Sequence, residues 1–195
     1  MRKGFIFILM TIAVLTLSGG EAMNETMKTI FERKSVRNYK ESTIPKETLE
    51  LLVKAGMAAP TAMDKRPWEF IIITDKAVLK KLSEALPYAK MAGPAGHGII
   101  VAGDMDKQNG GPDSPYWIMD CSAAVQNILL AAESLGLGAV WTAVYPNMDR
   151  VEPVSKALGL PKNIVPLAFI PVGTPSGKDK PKDKFNKKQI HWNKW

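Results

Sequence analysis

Arg33-Lys34-Ser35-Val36-Arg37 puts three cations and a hydroxyl into five consecutive residues. A phosphate asks for that combination, positive charge together with fork-shaped donors. Some 25 residues further on, Ala59-Pro60-Thr61-Ala62-Met63-Asp64-Lys65-Arg66-Pro67-Trp68-Glu69-Phe70 forms a proline-flanked turn leading into Phe70-Ile71-Ile72-Ile73, an apolar run of strand type. A phosphate anchor and a shaped loop ahead of a buried strand point to a phosphorylated cofactor. A third segment, Gly136 to Thr142, adds another stretch of backbone suited to close approach. Taken alone, the basic cluster would read as a solvated helix end whose cations meet the helix dipole. The three segments together favour the cofactor.

Other chemistries have less material. Cys121 is the one cysteine, which excludes an intrachain disulfide and a cysteine-based metal site. His97 and His191 lack metal-ligand spacing, so no transition-metal centre is expected. Ser35, Ser122 and Ser176 have no nucleophile-elbow context, and no carboxylate pair stands out for acid–base work. The bland readings are a small core residue for Cys121, a polar surface position for His97 and a tail anchor for His191.

The elements that must carry these residues follow from periodicity and punctuation. A chain of 195 residues, 46% hydrophobic and 23% charged, suits one globular domain of α+β type. The predicted helices are Asn24–Ser35, one starting at Pro45 with Leu49, Leu52 and Val53 buried, and one capped by Asp75 and running through Leu86. A long helix starts at Ser114-Pro115 and stops at Gly136, its apolar face formed by residues 118, 121, 122, 125, 128, 129 and 132. With alanines on its other sides, it belongs at the centre of a domain or a dimer. Asp149 and Glu152 make a capping box for a last helix ending at Gly159. Strands are predicted at Glu69–Thr74, Ile99–Ala102, around Gly136–Thr142 and at Val165–Val172. Residues 93–98 read as a glycine-rich loop, and Pro166 and Pro171 assign the last strand to an edge or a short stretch.

Net charge is +7, and residues 177–195 supply +5 of it through seven lysines against two aspartates. That basic extension reads as a solvated segment; no nucleic-acid-binding signature accompanies it, and no nucleic-acid partner is expected. At the other end, Arg2-Lys3, the apolar run Phe5–Leu17 and the small residues Ser18 to Ala22 have the form of an export signal covering residues 1–22. The expectation is cleavage after Ala22, a periplasmic location and no membrane insertion thereafter, or a membrane anchor if uncleaved.

The motifs together resemble the nitroreductase family of flavin enzymes. Arg33-Lys34-Ser35-Val36-Arg37 is similar to its Arg-x-Ser-x-Arg signature. Pro60 to Phe70 is similar to its Pro-Ser-x-x-Asn-x-Gln-Pro-Trp-x-Phe loop, and Leu135 to Trp141 to its Leu-Gly-Leu-Gly-x-x-Trp segment. Gly159-Leu160-Pro161, Val172-Gly173-Thr174-Pro175 and the closing Lys182–Trp195 follow in the family order. Asp64, Arg66 and Lys184 depart from it, standing where Asn, Gln and Arg are usual. An acid at position 64 would repel an electron-rich flavin edge unless Lys65 or Arg66 compensates.

The resemblance implies a central, mainly antiparallel sheet flanked by helices, and a homodimer with a long buried central helix. It implies FMN, its phosphate held by Arg33, Ser35 and Lys184, its ribityl chain and pyrimidine edge met by Lys34 and Arg37. Pro60, Thr61, Ala62 and Asp64 would line the flavin from the partner subunit. Val140, Trp141 and Thr142 would pass its other side. The implied activity is ping-pong hydride transfer from NAD(P)H through flavin N5 to a small acceptor such as a nitroaromatic or quinone, with no side-chain acid or base required. Tyr88, Tyr116 and Trp141 are candidate walls for a flat acceptor. The alternative is an exported flavin-binding or redox-carrier protein served by a donor other than a nicotinamide.

Overall fold

Five antiparallel pairings build the central sheet in the computed structural model, which describes residues 23–111 and 113–195. The export-signal segment lies outside those residues. The strands are β1 (Tyr39–Lys40), β2 (Trp68–Ile73), β3 (His97–Asp104), β4 (Gly138–Ala139), β5 (Thr142–Ala143) and β6 (Ile164–Pro175). Their order is β1-β6-β3-β2, with β4 and β5 also pairing with β6. The helices are α1 (Glu25–Glu32), α2 (Lys46–Met57), α3 (Lys76–Ala85), α4 (Ala92–Ala95), α5 (Tyr116–Ser134) and α6 (Met148–Leu158). This is the expected mainly antiparallel sheet flanked by helices.

Alternating side chains feed two cores, one on each face of the sheet. Ile99, Val101, Ile170 and Val172 meet α2 and α5 on one face. Ile100, Ala102 and Phe169 meet α3, α4 and α6 on the other. Gly56 lets α2 approach α5 closely, since a Cβ there would lie 3.0 Å from Ile128. Among the described residues no helix is long and apolar enough to cross a membrane, and no group of three or more potential metal ligands clusters.

Several predicted boundaries hold and others move. Asp75 caps α3, accepting the Ala77 and Val78 N–H groups, and Gly159 closes α6 with a φ of +64°. The α6 cap is Asn147 rather than Asp149, which stands in the first turn. Pro115, not Ser114, occupies the N-cap of α5. Gly93 lies inside the short α4, and β3 already begins at His97, so the predicted 93–98 loop shrinks to a left-handed turn at Gly96. His97 is correspondingly buried, not a surface position.

The largest correction concerns β6. It is the longest strand and pairs with four others. Its two inner prolines, Pro166 and Pro171, fit because the ladder is broken where they fall. Pro166 sits beside the register shift between Val101 and Ala102. Pro171 faces the gap between β4, which ends at Ala139, and β5, which starts at Thr142. A proline without its N–H is tolerated at such interruptions even in a central strand.

Helix α5 is the expected long buried helix, with eight of its residues buried. The buried stripe runs through Trp117, Asp120, Cys121, Ala124, Val125, Ile128, Leu129 and Ala132. It is rotated from the predicted face, and Ile118 and Ser122 are only half-buried. Cys121 is a core residue as read: its thiol donates toward the Ala102 carbonyl, and burial, with the neighbouring Asp120 second, pushes the thiol's pKa up to about 12.

Candidate functional site

The basic cluster leaves the helix that was expected to carry it. Helix α1 ends at Glu32, and Arg33 turns extended with ψ at 128°. Val36 explains the exit: it is buried, and its N–H donates to the Ala139 carbonyl at 3.0 Å. Gly138 makes this approach possible, because a Cβ there would fall 2.6 Å from Val36 Cγ1. The Tyr39 hydroxyl donates to the Val36 carbonyl at 2.8 Å, and burial first of all raises that phenol's pKa. Buried Val36 thus turns its neighbours Arg33, Ser35 and Arg37 toward a cleft.

That cleft has a volume of about 510 Å³. Arg33, Lys34, Ser35 and Arg37 form one side and residues 178–182 with Lys184 the other. The family resemblance implied Lys184 as a phosphate ligand, and the structure brings it to the same cleft. The sequence reading missed Lys178, Lys180 and Lys182, whose regular spacing in a lysine-rich tail read as a solvated face. It also missed Asp179, the clip that closes the cleft. Asp179 Oδ2 accepts the backbone N–H groups of Arg37 and Asn38 at 3.2 and 3.1 Å, and Oδ1 accepts from Asn38 Nδ2 at 3.2 Å. The Ser176 N–H adds a bond to the Asn38 carbonyl. The start of the tail is therefore folded over the cluster, while residues 181–195 remain exposed. In that exposed part His191 stacks on Trp195 rather than anchoring into the body.

The cleft suits a phosphate. Seven cations line it against one carboxylate, and that carboxylate is engaged by backbone donors. Among the described residues only Lys34 of the seven is in an ion pair, its Nζ 2.5 Å from Glu133 Oε1 near the end of α5.

The second segment forms a loop at the other end of α5. Ala62–Asp64 is a single 3-10 turn. Ala62 N–H donates to Asp120 Oδ1 at 2.9 Å, and Arg66 N–H to Thr61 Oγ1 at 3.1 Å. The Arg66 guanidinium grips the Asp64 carboxylate with two bonds of 2.7 and 2.6 Å. This hydrogen-bonded pairing holds the Asp64 carboxyl below the usual range. The acid that departs from the family pattern is thus neutralised by the neighbouring departure, as its chemistry required. Pro60 and Met63 to Arg66 are exposed.

Val140 and Thr142 are buried, and the Thr142 hydroxyl is spent on the Phe169 carbonyl at 2.6 Å. Trp141 packs half-buried against the α2/α5 core. Tyr116 opens α5, whereas Tyr88 sits across the sheet beneath Arg150 of α6, 5.6 Å from guanidinium carbon to ring centre. Tyr88 therefore shares no wall with the other two aromatics.

Within one chain the loop and the cleft stay apart. Asp120 and Glu133 mark their positions on α5, and thirteen residues of helix span about 20 Å. A larger cavity of about 850 Å³ lies elsewhere, between β1, α2, α3 and α4, and shares no residue with the cationic cleft. His97 forms part of its wall.

Comparison with known proteins bears on the family and the fold. An Archaeoglobus fulgidus protein named as a candidate NADH dehydrogenase/NAD(P)H nitroreductase is 41% identical over 178 residues, covering 89% of this chain and 100% of that one. A crystal structure from Parabacteroides distasonis, of a protein named in the same way, is 54% identical with a TM-score of 0.84, covering 89% of this chain and 100% of that chain. An FMN-dependent nitroreductase from Clostridium difficile is 28% identical with a TM-score of 0.78, covering 86% of this chain and 98% of its own. The sequence also matches the nitroreductase family over residues 30–87 and 84–174. The cationic cleft, the flanking loop and the sheet that carries them are those of a chain that belongs to the nitroreductase family.

Proposed function

We propose that the protein is an FMN-dependent oxidoreductase that draws on NAD(P)H and reduces a small acceptor such as a nitroaromatic or a quinone. The observation that carries this reading is the cleft in which Arg33, Ser35, Arg37 and Lys184 face one another, with seven cations against the single carboxylate of Asp179. Bound FMN supplies the hydride chemistry at N5, used alternately by donor and acceptor.

The chain's own residues then have defined work. Arg33, Ser35 and Lys184 hold the phosphate with charge-assisted hydrogen bonds. Arg37 lies beside them with its backbone fixed by Asp179, so that its side chain is free for the polar edge of the cofactor. Lys34, tied to Glu133, sets the cleft against the end of α5. Pro60, Thr61, Ala62 and Asp64 shape a wall, and the Asp64–Arg66 pair keeps that wall from presenting a bare negative charge.

The separation along α5 favours a homodimer. Two copies packed antiparallel about α5 would bring the loop of one toward the cleft of the other, as an isologous interface requires. Exposed apolar surface is present for it: Met27, Ile30 and Phe31 on α1, a helix with no buried residue, and Phe185, Trp192 and Trp195 on the tail.

Anaerobic reduction tests the activity. The purified protein should carry yellow FMN, about one per chain, that bleaches on addition of NADH or NADPH and recovers with a quinone. Flavin that is bound yet untouched by either nicotinamide would favour the redox-carrier alternative, and a colourless protein inert to added FMN would overturn the reading.

A further inference from the structure

Asp120 is a charged side chain set among core residues. It is 5% exposed, in the second turn of α5, with Trp117, Cys121 and Ala124 buried around it. A carboxylate this deep normally has a cation, yet Asp120 is in no ion pair among the described residues. Oδ1 accepts the Ala62 N–H at 2.9 Å, and Oδ2 is buried with no partner. An orphaned buried oxygen costs stability. The position is therefore poorly explained by folding and better explained by what Oδ1 holds.

What it holds is a loop with little else to fix it. Met63, Asp64 and Arg66 have φ values of 52°, 54° and 49°, a left-handed region that side chains rarely adopt. The same three residues and Lys65 are exposed, so core packing does not impose the conformation. The hydrogen bonds from Asp64, Lys65 and Arg66 end within the loop itself. The Ala62–Asp120 bond alone, among the described hydrogen bonds, ties residues 61–66 to another element.

We propose that Asp120 is a positioning residue: its Oδ1 fixes the Ala62 N–H and so sets the strained Thr61–Arg66 loop in the place from which it lines the cofactor. The cofactor half of this inference rests on the reading above; the tether itself does not. The carboxylate is retained for the loop, at the expense of an unsatisfied oxygen in the core.

Two variants separate a tether from a structural role. Asp120→Asn keeps an acceptor oxygen for Ala62, while Asp120→Leu is similar in size, apolar and without one. Three readouts apply: melting temperature, FMN affinity, and the rate at which trypsin cuts the cofactor-free protein after Lys65. The Leu variant should melt at or above the wild-type temperature because the orphaned oxygen is gone. It should nevertheless be cut about tenfold faster and bind FMN about tenfold more weakly, the scale of one charge-assisted hydrogen bond. The Asn variant should stay within about threefold of wild type on both. A Leu variant cut and loaded like wild type, or an Asn variant as impaired as Leu, overturns the proposal. Wild-type protein that takes up no FMN while the Leu variant still loosens the loop overturns the cofactor reading and leaves the tether standing.

Discussion

Asp179 decides how the cations of the cleft are used. By taking three donors from Arg37 and Asn38 it closes the cleft without spending any side-chain charge on an ion pair. His97 shows the opposite economy. Its Nε2 accepts the Ile44 N–H at 3.3 Å, which requires a neutral ring, and burial lowers its pKa below the ordinary 6.5. The unfolded chain takes up a proton at a higher pH than the folded one does. The stability that His97 contributes is thus present above about pH 6.5 and is lost as the pH falls below it. Thermal melts at pH 7.5 and 5.5 should show wild type losing more stability than His97→Gln; equal losses would contradict this account. At this scale the sequence exposed the cations, because their chemistry is local and their number unusual. Asp120 and Asp179 were hidden because what matters about each is a backbone partner far along the chain, 58 residues away for Asp120 and about 142 for Asp179.

Elements place the cluster through one close contact. Gly138 of β4 lies against Val36, and the Val36 N–H bonds to Ala139. Gly138→Ala would push a methyl group into Val36 and move the Arg33–Arg37 segment. Overpacking of this kind costs about 1–3 kcal/mol. The expected result is a lower melting temperature together with weaker FMN binding, and a variant matching wild type in both would show that the contact does not position the cluster. Helix α3 was legible from its Asp75 cap, and α2 and α5 from their apolar content and the prolines that stand at their starts. Strand β6 was misjudged as an edge or a short stretch because proline rules speak of one strand, whereas its interruptions are created by the bulge opposite and by the break between β4 and β5. The end of α1 moved for a similar reason: Val36 is drawn off by a strand that lies about 100 residues later.

For the whole molecule, the distance along α5 has the largest consequence. A loop and a cleft about 20 Å apart on one helix cannot both meet one cofactor through a single chain as readily as through two. Size-exclusion chromatography with light scattering should give twice the mass of one chain at micromolar concentration; a monomer that binds FMN fully would refute the two-chain site. The family resemblance made a homodimer an expectation, but the apolar side chains left uncovered on α1 and the tail could be seen only once the fold had shown which residues enter the two cores.

Titration of cofactor-free protein with FMN, followed by flavin fluorescence, bears most directly on the whole account when wild type is set beside the double variant Arg33→Gln, Arg37→Gln. Hydrogen bonds to charged groups are worth about 1.5–3 kcal/mol each, so losing both guanidinium groups should weaken binding at least about 100-fold while wild type saturates near one FMN per chain. Equal affinity in the two proteins would contradict the claim that this cleft grips the phosphate.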